Sequence, residues 1–261
     1  MRPNNSKFLI DFSHNITTLK GNKMREVSEN TNITEVVFIL DRSGSMENVT
    51  ADTIGGFNSM IKRQKEDAVK AFVTTVLFDD KINIIHDRIK IADVPLLTTK
   101  EYYARGCTAL LDAVGSTITH INNIHKYARE TDIPNKTLFV ITTDGYENAS
   151  SKYSLTKVKS MIEEQQSNGW EFIFLGANID AIETASKMGI SCEYAANVVN
   201  DEEGIENTYK AVSDAVYMCC EEPIGKRLPK NWKEKIDKDL KRRYKQSTTD
   251  NNDFPQFLRR K

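Results

Sequence analysis

Cysteines are few in this sequence, and none forms a C-x-x-C pair. The 261 residues include four cysteines, of which Cys219 and Cys220 are adjacent and therefore poorly placed to bridge each other. Small secreted domains depend on closely spaced cysteines, so this pattern does not indicate a disulfide framework. Cys192 and Cys219 lie in apolar segments and are predicted to be buried thiols.

Long hydrophobic runs are also missing. Polar residues from Asp11 to Asn15 interrupt the N-terminal stretch before it reaches the length of the apolar part of a signal peptide. No segment approaches the uninterrupted apolar length that a membrane span needs. We therefore expect a cytoplasmic protein in which residues 1–32 form a polar N-terminal extension.

A large net charge of either sign is absent, because the formal net charge is -1. The distribution is nevertheless uneven: residues 226–245 contain ten Lys or Arg and three acidic residues. Residues 221–261 are predicted to form a basic helix and a disordered tail. If helical, Trp232, Ile236, Leu240 and Tyr244 form a narrow apolar stripe. This stripe fits packing against the domain, but also contact with a partner, a nucleic acid or an acidic membrane.

Between residues 33 and 220, short apolar runs alternate with amphipathic stretches. Strands are predicted at 34–40, 72–78, 82–91, 138–142, 171–175 and 192–196, and helices at 51–66, 109–127, 155–166, 181–188 and 205–219. This alternation predicts one α/β domain with a Rossmann-like, doubly wound, mostly parallel sheet and helices on both faces. The turn at 79–81 is too short for a crossover, so the third strand is predicted to be an antiparallel edge strand.

Three short segments carry candidate metal ligands: DRSGS at 41–45, GCTAL at 106–110 and TTDG at 142–145. Asp41 and Asp144 each follow a strongly apolar strand, so both belong at the carboxyl edge of the sheet, where such folds bind ligands. Mg²⁺ prefers oxygen ligands in octahedral geometry, and Ser and Thr hydroxyls are small neutral oxygen donors. Two carboxylates balance a dication but leave it able to attract a further carboxylate.

The sequences FILDRSGSM, GCTAL and FVITTDGYEN resemble the three loops of the metal-ion-dependent adhesion site in the von Willebrand factor A family. The resemblance covers roughly residues 33–220 and is closest to bacterial or phage stand-alone domains. It implies that Ser43 and Ser45 ligate the metal directly and that Thr108 does so in the ligand-competent state. It also implies that Asp41 and Asp144 bind directly or through water.

The resemblance implies a non-enzymatic, divalent-metal-dependent protein–protein interaction domain. Mg²⁺, with Mn²⁺ or Ca²⁺ as substitutes, would hold a carboxylate of the partner. One departure is Cys107, where many members have glycine. Two other functions stay open: a metal-dependent phosphoesterase that uses Asp41 and Asp144, and a scaffold for a basic tail that binds nucleic acid or membrane. Asp41, Thr108 and Asp144 are each also compatible with helix N-capping.

Overall fold

A six-stranded β-sheet lies at the centre of residues 33–249, the part of the chain that the computed structural model describes. Its strands are β1 (Thr34–Asp41), β2 (Ala71–Phe78), β3 (Ile82–Lys90), β4 (Lys136–Thr143), β5 (Trp170–Ala177) and β6 (Ala195–Val198). They lie in the order β3-β2-β1-β4-β5-β6, and only the β2–β3 pair is antiparallel. The predicted sheet with one antiparallel edge strand is confirmed.

Helices cover both faces of this sheet. They are α1 (Thr50–Glu66), α2 (Leu110–Tyr127), α3 (Leu155–Ser167), α4 (Ala181–Lys187), α5 (Glu202–Glu221) and α6 (Glu234–Thr249). Apolar residues of α1, α5 and α6 join the core on one face, and those of α2, α3 and α4 join the core on the other. All eight residues of β1 are buried, as a central strand between two helical layers requires.

The predicted elements lie within three residues of the observed bounds, with the largest differences around β6 and α5. Residues Cys192–Tyr194 form a 3-10 turn, and β6 begins only at Ala195. The prediction of a buried Cys192 is therefore wrong, because the turn exposes its thiol, whereas Cys219 is buried on α5 as expected. A short apolar run does not by itself distinguish a strand from the turn before it.

The C-terminal basic segment packs back onto the domain. Trp232 and Ile236 are buried, and the Trp232 indole Nε1 donates to the Glu193 carbonyl at 3.2 Å. Lys233 Nζ donates to the carbonyl of Ala195 at 2.6 Å, at the start of the edge strand. Tyr244, at the other end of the predicted stripe, is 39% exposed.

No helix in the described range is both long and apolar enough to span a membrane. Residues 1–32 and 250–261 lie outside the described residues. The predicted N-terminal extension and most of the predicted disordered tail fall there.

Candidate metal centre

The sheet topology brings the two candidate aspartates to one edge. Strands β1 and β4 are parallel neighbours with Leu40 opposite Thr142, so Asp41 and Asp144 both follow at their carboxyl ends. A 3-10 helix, Gly44–Val49, begins directly after Ser43. Ser43 contacts Asp41 through its backbone N–H, and Ser45 contacts Asp144 through its hydroxyl.

The side-chain oxygens of these segments converge. Ser43 Oγ lies 3.1 Å from Ser45 Oγ, and Ser45 Oγ donates to Asp144 Oδ1 at 2.5 Å. A Cβ at Gly145 would lie 3.1 Å from Thr108 Oγ1 and 3.7 Å from Ser45 Oγ. A side chain at Gly145 would thus fill the space between the hydroxyls. Ser43, Ser45, Thr108 and Asp144 thus lie close together, and the Ser43 backbone N–H joins Asp41 to them.

Asp41 lies at the inner side of this cluster. It is fully buried, and its Oδ1 accepts from the Ser43 backbone N–H at 2.7 Å while its Oδ2 accepts from Thr143 Oγ1 at 2.6 Å. Burial raises the pKa of Asp41 to about 6, although the hydrogen bonds from Thr143 and Ser43 act to lower it. Burial also raises the pKa of Asp144. The charge of Asp144 also acts to raise the pKa of Asp41, and a cation bound by both carboxylates would relieve that cost.

The donor set fits a hard dication. It consists of three hydroxyls and two carboxylates, the oxygen ligands that Mg²⁺ prefers. Asn200 adds a further observation, because its buried Oδ1 has no hydrogen-bond partner within the described residues. The site therefore has a buried polar atom that a bound group could satisfy. No group of three or more His, Cys, Asp or Glu side chains suited to a metal occurs between residues 33 and 249.

Three residues that hold the candidate ligands were not selected from the sequence. Thr143 donates to Asp41, and Asn200 Nδ2 donates to Asp144 Oδ2 at 3.1 Å. Asn148 Oδ1 accepts from the Thr108 backbone N–H at 2.9 Å. Thr143 and Asn148 lie within FVITTDGYEN, so this motif could have indicated that they lie near the candidate ligands. Asn200 lies on the loop after β6, and no local pattern connects it with Asp144.

Asp41, Thr108 and Asp144 do not act as helix N-caps, the alternative role that the sequence left open for them. Helix α2 begins at Leu110 with Ala109 as its N-cap, so Thr108 does not cap it. No helix begins just after Asp144, and Ser43 rather than Asp41 precedes the first 3-10 helix. The loop tolerates a cysteine at position 107, where many family members have glycine. The left-handed backbone conformation of this loop falls on Gly106, with φ of 66°, and the Cys107 side chain is exposed.

Comparison with known proteins finds similarity at the level of structure only. No protein-family model and no curated protein matches the sequence. The pilus adhesin SpaC from Lactobacillus rhamnosus GG is similar over 72% of this chain and 30% of its own length, with a TM-score of 0.58 and 11% identity. The von Willebrand factor domain of the pili tip protein Mfa5 from Porphyromonas gingivalis is similar over 74% of this chain and 98% of its own, with a TM-score of 0.56 and 8% identity.

A von Willebrand factor type A protein from Catenulispora acidiphila is similar over 72% of this chain and 43% of its own, with a TM-score of 0.51 and 13% identity. This chain therefore spans less than half the length of SpaC and of the Catenulispora protein. Identities this low carry the likeness of fold and not of function. From its strand order, its antiparallel edge strand and these likenesses, the chain has the von Willebrand factor type A fold.

Proposed function

We propose that the protein is a divalent-metal-dependent protein–protein interaction domain without catalytic activity. Its metal-ion-dependent adhesion site consists of Asp41, Ser43, Ser45, Thr108 and Asp144. The observation that carries the proposal is the proximity of Ser43, Ser45, Thr108 and Asp144 at the carboxyl edge of the sheet, with Asp41 joined to Ser43. Adhesins among the similar structures support an interaction role in general terms.

Each residue has a distinct part in this function. The hydroxyls of Ser43, Ser45 and Thr108 supply neutral oxygens; Ser45 is exposed, whereas Ser43 and Thr108 are buried. The buried carboxylates of Asp41 and Asp144 supply the negative charge. When bound, Mg²⁺ supplies an electrophilic position for one more oxygen ligand. Because the protein donates only two carboxylates, an acidic side chain of a partner is the favoured ligand for that position.

The surface beside the site suits protein contact. Tyr146, two residues after Asp144, is 61% exposed, and Tyr103, on the loop before Thr108, is 41% exposed. Tyrosine is enriched in protein–protein interfaces because it combines a large apolar ring with a polar hydroxyl. These two residues are therefore the first contacts to expect around a carboxylate of the partner.

A metal titration tests the proposal. Mg²⁺ binds only the folded state, so the wild-type thermal midpoint should rise with Mg²⁺, corresponding to about 2.7 kcal/mol at about 100 times Kd. The Asp41→Ala variant should show no Mg²⁺ response. Asp93→Ala, which changes an exposed aspartate outside the site, should respond like the wild type. A wild-type midpoint that does not change with Mg²⁺ or Mn²⁺ would sink the proposal.

The surroundings of Asp41 disfavour a phosphoesterase in which this carboxylate is the nucleophile. A nucleophilic carboxylate needs an accessible oxygen, whereas Asp41 is fully buried and both its oxygens accept hydrogen bonds. Hydrolysis of p-nitrophenyl phosphate by the wild type, lost in Asp41→Asn, would restore this alternative. We expect no turnover in either protein.

The basic-tail alternative is weakened by the intramolecular pairing of the basic residues. Salt bridges within the chain occupy Lys230, Lys235, Lys238, Arg242 and Arg243. Charges that are already paired attract phosphate less, since the pairs must first be broken. Salt-dependent binding of the protein to a DNA duplex or to anionic vesicles would revive this alternative.

A further inference from the structure

A buried charge cluster lies beside the candidate metal site and includes none of its five ligands. Its centre is Asp79, in the turn between β2 and β3, which is fully buried. Asp79 Oδ2 accepts from Arg42 Nε at 2.9 Å and from Arg105 Nε at 2.7 Å. One carboxylate oxygen thus joins two guanidinium groups from different segments of the chain.

The two arginines belong to two different loops of the site. Arg42 stands between Asp41 and Ser43, and Arg105 stands three residues before Thr108. Their backbones also meet, because the Arg105 N–H donates to the Arg42 carbonyl at 2.9 Å. The cluster therefore connects the loop of the two serines with the loop of Thr108.

Backbone contacts extend this connection on both sides of Thr108. The Ala109 N–H donates to the Asp79 carbonyl at 3.0 Å, and the Gly44 N–H donates to the Gly106 carbonyl at 3.1 Å. Residues 94–109 contain no helix or strand. Their position depends on such contacts rather than on a regular hydrogen-bond ladder, so the cluster has a long irregular segment to hold.

The surroundings of Asp79 favour its charged form and a fixed position. Burial acts to raise the pKa of Asp79, but the hydrogen bonds from Arg105 and Lys81 and the two guanidinium charges hold it below its ordinary value. Arg42 has further acceptors: its Nη1 donates to the Glu101 carbonyl at 3.1 Å and its Nη2 to Asn83 Oδ1 at 2.8 Å. A buried ion pair with these additional hydrogen bonds fixes geometry well.

We propose that Asp79 is a positioning residue that acts through Arg42 and Arg105. By holding the two loops together, it keeps Thr108 close to the two serine ligands before a metal ion binds. The affinity for Mg²⁺ then depends on a charge cluster that touches neither the ion nor its ligands' oxygens. The inference rests on the proposed metal-binding function and adds the groups that keep the site assembled.

The Arg105→Met variant tests it with little risk to folding, because the Arg105 side chain is 37% exposed and Arg42 keeps its bond to Asp79. Residues that orient metal ligands typically change metal affinity about 10–100-fold when mutated, and we expect a Kd for Mg²⁺ weakened within that range by calorimetry. Arg129→Met is the matched control, since it removes a salt bridge from a side chain that is 85% exposed. Arg105→Lys, which retains the charge, should recover part of the affinity.

Amide hydrogen exchange of the metal-free protein gives a second readout that does not depend on Mg²⁺. In Arg105→Met the amides of Gly44 and Ala109 should exchange faster, while amides of β1 and β4 keep their protection. A general loss of stability would instead speed exchange throughout the core.

The possible results separate this proposal from the proposed function. A wild type that binds no Mg²⁺ overturns both. A wild type that binds Mg²⁺ together with an Arg105→Met variant of equal affinity overturns the positioning role alone. Unchanged exchange at Gly44 and Ala109 in that variant overturns it as well.

Discussion

Individual side chains outside the ligand set hold the two aspartates in their orientations. Thr143 contacts one oxygen of Asp41, and Asn200 contacts Asp144 Oδ2 while Ser45 contacts Oδ1. Each carboxylate thus has both oxygens engaged, which fixes its rotamer. Such supporting hydrogen bonds orient metal ligands and contribute to metal affinity.

Replacing Asn200 should therefore weaken metal binding without unfolding the protein. Asn200→Ala removes the amide donor on Asp144 Oδ2, and we expect the Kd for Mg²⁺ to weaken about 10–100-fold. Calorimetric titration with MgCl₂ measures this. The control Asn123→Ala, on the exposed face of α2, should bind as the wild type does. Equal affinities for all three proteins would contradict the role of Asn200.

At the scale of elements, the 3-10 turn and helix that follow Pro229 extend one face of the core. Trp232 is 2% exposed and Ile236 4% exposed, and both join the cluster formed by α1 and α5. Near the other end of α6, Arg243 pairs with Asp201 beside the start of α5 and with Asp239. The basic segment therefore stabilises the domain, in addition to any role in binding.

Truncation of Trp232 should destabilise the protein markedly. Removing a buried tryptophan side chain costs about 3–5 kcal/mol, because contacts and hydrophobic burial are both lost. The control variant Ile224→Ala changes a side chain that is 61% exposed between α5 and Pro229, and should stay within about 0.5 kcal/mol of the wild type. Urea unfolding of both variants provides the comparison. A Trp232→Ala variant as stable as Ile224→Ala would show that the segment does not contribute to the core.

At the scale of the whole molecule, the stability should depend on pH through His86. Burial lowers the pKa of His86, and the charge of Glu101 only partly opposes this. The unfolded chain therefore binds the proton more readily than the folded one, so this contribution to stability is present above about pH 6.5 and is lost as the pH falls below it.

Urea unfolding at pH 7.5 and pH 5.5 measures this effect by comparing the wild type with His86→Gln. The wild type should lose more of its free energy of unfolding between the two values than the variant does. Other titrating groups, including the buried Asp41, contribute equally to both proteins and cancel in the difference. An identical loss in the two proteins would remove His86 as the cause.

Much of this protein follows from its sequence alone. The apolar runs that became β1 and β4 predict central strands with an aspartate after each, because strands buried on both faces must be apolar throughout. The short 79–81 turn predicts the antiparallel edge strand. The strand pattern places Asp41 and Asp144 at one edge, since parallel strands bring their carboxyl ends together. The resemblance of the DRSGS, GCTAL and TTDG segments to an adhesion site adds the two serines and Thr108.

Only the tertiary structure decided which distant segments support those ligands. Asn200 reaches Asp144 from the loop after β6, and Asp79 joins Arg42 to Arg105. The tertiary structure also decided that Cys192 is exposed and that Trp232 packs against the core. The physical reason is that local periodicity records whether a residue is buried, whereas a hydrogen bond between remote residues depends on how the chain is folded in three dimensions.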